Sequence, residues 1–273
     1  MGELRAALAI ARKDLRTISR YRIWMFSMVF NPLYQGVIPA FLLGTAFAVG
    51  GQSVGLQETT GTSNLAGFIF LGGVIGGLVG VSFWGMAMGL RNEMDVGTLE
   101  PSWLTPTRRD TFLLGRALGS LVIFAFSQVA LFAVGIAFFG LRFDAQIVGA
   151  LPAVLIGTVA MMGVGYFLAA AVLIVREANF FIDTTNFLFS ILSGVAFPIT
   201  LLPGAAQAFA YLLPTTYAVD ILRQQALGAR PLFDPALEHL ALIVAAVLVF
   251  PLGRMTFNAA EHRLRVTGGL SQH

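Results

Sequence analysis

The chain has 273 residues, of which 57% are hydrophobic and only 11% charged, with 30 glycines besides. A soluble domain carries about 25% charged residues, and a chain this apolar cannot cover the water-facing surface that its length demands; composition excludes a soluble enzyme, a disordered chain and a nucleic-acid binder. The net charge is only +3, the basic residues flank apolar stretches, and there are no cysteines, so most of the chain has lipid as its solvent and thiol chemistry is excluded.

Residues 1–22 form an amphipathic segment. Leu4, Leu8, Ala11, Leu15 and Ile18 fall on one helical face, and Arg5, Arg12, Lys13, Arg16 and Arg20 supply charge. This predicts a helix lying in the membrane interface, with its cations at anionic headgroups. Charge-poor stretches then follow at 23–57, 59–90, 117–141, 145–175, 184–219 and 237–259. About 20 apolar residues cross a bilayer, so the reading is an all-α integral membrane protein. Its six transmembrane helices are centred near Leu42, Gly77, Ala130, Met161, Ser190 and Val247. The domain of spans is 23–259, and 260–273 is a cytoplasmic tail. In the second span, Gly72, Gly76 and Gly80, Gly73 and Gly77, and Gly85 and Gly89 recur at spacings of four, which lets helix backbones approach closely.

The stretch 184–219 is too long for one span. Pro203-Gly204 and Pro214 interrupt it, and a helix over 204–219 would be only about 24 Å long. Residues 203–230 therefore read as an extracellular re-entrant segment, covered by other protein or water; a seventh span over 204–219 is the alternative, and the count of basic residues does not decide between them. With six spans and an inner N-terminus, the cytoplasmic segments hold 14 of the 17 basic residues and the outer ones three. Both termini are placed in the cytoplasm. One lysine among 17 basic residues, with abundant Ala and Gly, points to a GC-rich bacterial genome and hence to a bacterial inner membrane.

The loop 91–110 is the most informative polar piece. It carries Arg91, Glu93, Gly97-Thr98-Leu99-Glu100, Trp103, Thr105-Pro106 and Arg108-Arg109. Asp95 or Thr98 is placed to cap a short helix that Pro106 ends. An exposed Trp103 and Leu104 there require a cover. Gly97-Thr98-Leu99-Glu100 followed by Leu104-Thr105-Pro106 resembles the cytoplasmic loop of type-2 ABC transporter permeases. A second match is Ser193 to Pro198, Leu202-Pro203, Tyr211 to Ala218 and Asp220 to Arg223, similar to that family's fifth-span and re-entrant segment. The daunorubicin-type drug-export permeases look closest. Two departures stand out. Met94 and Val96 interrupt the charged run that family members commonly carry before this element, and Pro101 follows Glu100.

The resemblance implies a permease that pairs with a second, identical or different, permease chain and with two copies of an ABC ATPase. It implies no cofactor in this chain, with ATP and Mg bound by the ATPase. The residues agree: a Walker A site needs Gly-Lys-Ser/Thr, and the only lysine, Lys13, sits between Arg12 and Asp14. The rival classes are an ion-coupled secondary transporter or channel and an intramembrane enzyme. The first normally places ionisable groups in mid-bilayer, and none lies centrally here. The second lacks a paired-histidine metal motif.

The expected site residues fall in three groups. The ATPase-coupling loop is Arg91, Glu93, Gly97, Thr98, Leu99, Glu100, Trp103, Thr105 and Pro106. A substrate path for an amphiphile takes apolar walls with a few hydrogen bonders: Phe26, Phe30, Asn31, Gln35, Phe83, Trp84, Asn186, Phe187, Phe189 and Ser190. An extracellular gate is expected at Phe197, Pro198, Pro203, Tyr211, Pro214 and Tyr217, with Asp220 and Arg223 paired at i, i+3.

Overall fold

The structure, a computed structural model, describes residues 2–20, 52–175 and 178–267, with Ile38, Leu42, Leu43 and Ala46 as isolated positions. The described residues are helical throughout apart from turns and short connections. In chain order they form α1 (Gly2–Arg20), α2 (Val54–Thr60), α3 (Leu65–Gly80), a π-helical segment (Val81–Met88), α4 (Gly89–Asp95) and α5 (Leu99–Trp103). Next come α6 (Arg109–Phe139), a 3-10 turn (Ala145–Ala150), α7 (Leu151–Ile174) and α8 (Ala178–Leu192). The chain continues through a 3-10 turn (Ile199–Leu201), α9 (Gly204–Ala210), α10 (Pro214–Leu227) and α11 (Pro235–Thr267).

Four described helical stretches are long and apolar enough to cross a membrane: Leu65–Asp95, Arg109–Phe138, Ala145–Ile174 and Pro235–Leu264. They coincide with the second, third, fourth and sixth expected spans. The first expected span falls almost wholly outside the described residues. The fifth is α8, whose 15 residues make about 22 Å of helix, short of the ~30 Å hydrocarbon core. The stretch 184–219 breaks earlier than the prolines suggest. Gly194 sits in the left-handed region at φ 73°, which only glycine adopts without strain, and α8 ends at Leu192. Beyond it, 204–227 is two short helices, α9 and α10, and Pro214 occupies the first turn of α10, where its missing N–H costs nothing.

Glycines set the close approaches between helices. A Cβ on Gly77 would stand 2.9 Å from the Phe124 ring, and one on Gly72 would overlap the Val195 carbonyl oxygen. One on Gly85 would overlap the Ser120 hydroxyl. Gly72, Gly77 and Gly85 of the second span's ladder are thus spent on contacts within the chain. The tightest crossing joins α7 to α11: a Cβ on Gly163 would lie 2.6 Å from the backbone of Phe250, and one on Gly253 would overlap the Gly163 carbonyl oxygen. Gly163→Val is expected to lower stability by about 1–3 kcal/mol through overpacking, read as a lower Tm in detergent. An unchanged Tm contradicts this account of the crossing.

Halfway along Leu65–Asp95 the hydrogen bonding slips from α to π over Val81–Met88. The buried Ser82 hydroxyl there donates to the Met161 carbonyl at 2.6 Å. Such segments re-aim side chains within a helix; here Phe83 turns into the core while Trp84 stays exposed.

Candidate functional site

The 91–110 loop is built from its backbone outward. α4 ends in a Schellman turn: Gly97 takes φ 73°, its N–H reaches the Met94 carbonyl at 3.0 Å, and the Thr98 N–H reaches the Glu93 carbonyl at 3.0 Å. This turn reverses the chain and launches α5, where the Ser102 N–H and hydroxyl both donate to the Thr98 carbonyl, at 3.2 and 2.8 Å. Thr105 donates to the Ser102 carbonyl at 2.7 Å, and Pro106 follows.

Glu93 is the electrostatic hub. Its carboxylate accepts from Lys13 Nζ of α1 at 3.1 Å, from Arg116 Nη1 of α6 at 2.9 Å and from the Thr98 hydroxyl. One carboxylate therefore ties the loop to the amphipathic helix and to the next span. Such charge-assisted bonds are about twice as strong as neutral ones. Gly89 makes room, because a Cβ there would stand 2.5 Å from the Arg116 guanidinium. Arg91 pairs with Asp95 at 3.0 Å along α4.

Small residues seat α1 on α6. Ala7 and Ala11 are buried, and a Cβ on Gly115 would meet the Ala7 carbonyl and Ile10 at 2.8 Å. Glu3 accepts from the Thr111 hydroxyl at 2.6 Å. Leu4 and Leu8 stay exposed, so one edge of the apolar face, Ala7 and Ala11, packs on protein while its other edge, the leucines, is turned away from it. Burial raises the Asp14 carboxyl above its ordinary value, opposed by the charges of Arg116 and Lys13.

Trp103 is covered by its own chain. It and Leu99 are buried in a core with Leu90, Leu113, Leu173 and Ile182, and Arg109 lies 5.0 Å from the Trp103 ring while pairing with Glu261 at 2.6 Å. What the loop presents outward is Val96, 74% exposed, and Leu104, 87% exposed. Beneath it, Asp110 in the first turn of α6 accepts from Arg254 Nε of α11 at 2.7 Å, and the buried Tyr166 hydroxyl of α7 donates to the Asp110 carbonyl at 3.0 Å. Arg254, the one charged residue within the apolar stretch 239–259, thus pairs with a carboxylate. The loop and α1 are thus joined by polar links to three long helices.

The other expected residues separate. Phe26, Phe30, Asn31 and Gln35 lie outside the described residues. Phe83 is fully buried and meets Phe189 edge-on at 5.4 Å between ring centroids. Trp84 and Phe187 are exposed on this chain, and the Ser190 hydroxyl donates back to the Asn186 carbonyl at 2.9 Å. On the opposite side, the Tyr217 hydroxyl donates to the Tyr211 carbonyl at 2.7 Å, and Tyr211 packs on Phe233 at 5.1 Å. Pro214 is buried, Pro203 exposed, and Phe197 and Pro198 are half-buried around the Gly194 turn.

Arg223 departs from the sequence expectation. Its guanidinium donates to backbone carbonyls rather than to Asp220: Phe68 at 3.0 and 3.2 Å, Gly194 at 2.8 Å and Val195 at 2.9 Å, with the guanidinium over the Phe68 ring. Asp220 accepts from Gln224 at 2.8 Å and from the Leu232 N–H at 3.0 Å, and Gln224 also donates to Glu238 at 2.5 Å. The fork geometry of Arg is what lets one side chain satisfy three carbonyls.

Long apolar helices able to cross a membrane, with a polar loop tied across one end, are the architecture of a membrane permease. The profile of the ABC-2 type transporter family matches residues 6–227, and the chain belongs to that family. It is the membrane component of an ABC transporter, and membership implies an ABC ATPase partner. No curated protein matches the chain.

Proposed function

We propose that the chain is the permease of an ATP-driven exporter that moves an amphiphile, drug-like or lipid-like, out of the cytoplasm or inner leaflet. Two permease chains, identical or different, form the pathway, and two ATPase copies bind ATP and Mg and drive it through the 91–110 loop. Both termini face the cytoplasm of a bacterial cell, and 203–230 closes the outer end as a re-entrant gate. The observation that carries this reading is the Glu93 junction, which links the loop to α1 and α6 while Val96 and Leu104 are left projecting. A push on those side chains is transmitted to the spans because the links are polar, short and partly buried.

ATP bound between two ATPase subunits stabilises only the state in which they close, and a ligand shifts an equilibrium only by such differential binding. The cargo is placed in the space between permeases, against Trp84, Phe187, Asn186 and Ser190 and against Phe26, Phe30, Asn31 and Gln35 of the first span. Exposed aromatics beside a few amides and hydroxyls suit an amphiphile. The test is Gly97→Pro with Glu100→Ala. Proline cannot take the positive φ of Gly97, so the Schellman turn is lost while the spans remain. The expected result is ATP hydrolysis that cargo no longer stimulates, with export lost. Unchanged export in this double variant contradicts the coupling role.

A further inference from the structure

At the loop end of the molecule, residues of α7 and α11 line a groove of about 200 Å³. It is lined by the buried Ala170 and Ala260 and by Ala171, Ile174, Thr256, Ala259 and Arg263. We propose that this groove holds one anionic phospholipid of the leaflet on the 91–110 side, as a resident lipid distinct from the transported cargo.

Depth supports that occupant. Measured from the midpoints of Ala145–Ile174 and Pro235–Leu264 at 1.5 Å per residue, Thr256 lies about 10 Å from the centre, Ala170 and Ala260 about 15 Å, and Arg263 about 20 Å. The hydrocarbon half-thickness is about 15 Å. The apolar walls therefore flank the upper part of an acyl chain, and the guanidinium sits at the level of the phosphate. Ile174, which lines the groove, is an exposed side chain of an apolar span, which gives a lipid lateral access. A phosphodiester complements Arg263 in charge and in fork geometry, and basic pockets between helices at this depth favour anionic headgroups. The leaflet rests on the orientation read from the basic residues; occupancy of the groove does not.

The test is native mass spectrometry of the full-length chain, with any ATPase that accompanies it, in micelles holding equal phosphatidylglycerol and phosphatidylcholine. The wild type is expected to retain phosphatidylglycerol about fivefold over phosphatidylcholine. Arg263→Gln should abolish that preference, Arg263→Lys should keep it, and Ala259→Leu, at an exposed wall position, should reduce retention of both lipids. Equal retention of the two lipids by the wild type, or wild-type phosphatidylglycerol retention in the Ala259→Leu, Arg263→Gln double variant, overturns the proposal. Transport is not the readout, so failure of the exporter reading leaves this result unaffected.

Discussion

Arg223→Met is expected to destabilise the fold by about 3–5 kcal/mol, the largest effect of any single side chain described above. The guanidinium joins three parts of the chain that share no helix: Phe68 near the start of α3, the Gly194–Val195 turn after α8, and α10 itself. Methionine fills similar volume but has no donor. The carbonyls of Gly194 and Val195, which lie outside any helix, lose their charged partner in a buried place. A Cβ on Gly72 would overlap the Val195 carbonyl oxygen, so the turn has no slack with which to find another donor. Lysine cannot reach three carbonyls from one ammonium, and Arg223→Lys should recover only part of the loss. The check is thermal unfolding in detergent. Equal Tm for wild type and Arg223→Met contradicts the account, and so does full rescue by lysine.

The second large effect is placed at Glu93. Its carboxylate accepts from Lys13, Arg116 and Thr98, and Glu93→Ala leaves Arg116, half-buried under α1, without that partner. The Lys13 pair is more than half exposed on the lysine side and adds little; the half-buried Arg116 bond is worth about 1.5–3 kcal/mol, so the seating of the loop on α6 weakens about ten- to hundredfold, at 1.4 kcal/mol per tenfold. The expected phenotype is not unfolding, since the apolar cores that hold the spans are untouched. Cargo-stimulated ATP hydrolysis should fall while basal hydrolysis by the ATPase persists. Glu93→Gln, which keeps the shape and accepts one weaker bond, should lie between. Loss of membrane insertion, or full coupling in Glu93→Ala, contradicts the hub role.

The sequence is most legible where one physical cause dominates. Charge-free length marks the four described spans because a ~30 Å apolar slab admits little else. The turn at Gly97 is readable because a glycine between a polar helix end and a new helix is a common C-terminal signal. Where two causes compete, the reading is partial. On α1, the leucines dominate the apolar pattern, yet the face against α6 is Ala7 and Ala11, since close packing at Gly115 needs small residues. Trp103 reads as exposed because the loop is polar, whereas tertiary packing buries it under Arg109. The break at Gly194 was masked by more conspicuous prolines downstream, and the π-helical segment has no composition of its own beyond glycine. For Asp220 and Arg223, the i, i+3 spacing gave the wrong partner: helical neighbours compete poorly with three carbonyls fixed by the fold.

The most direct measurement of the central claim co-reconstitutes the chain with its ABC ATPase in nanodiscs and follows ATP hydrolysis against added amphiphile. The account predicts that the two co-purify, that amphiphile stimulates hydrolysis, and that Val96→Asp with Leu104→Asp abolishes both the association and the stimulation while the permease stays folded. A chain that moves solute down an ion gradient with no ATPase bound, or an ATPase that docks and responds normally to the double variant, would contradict it.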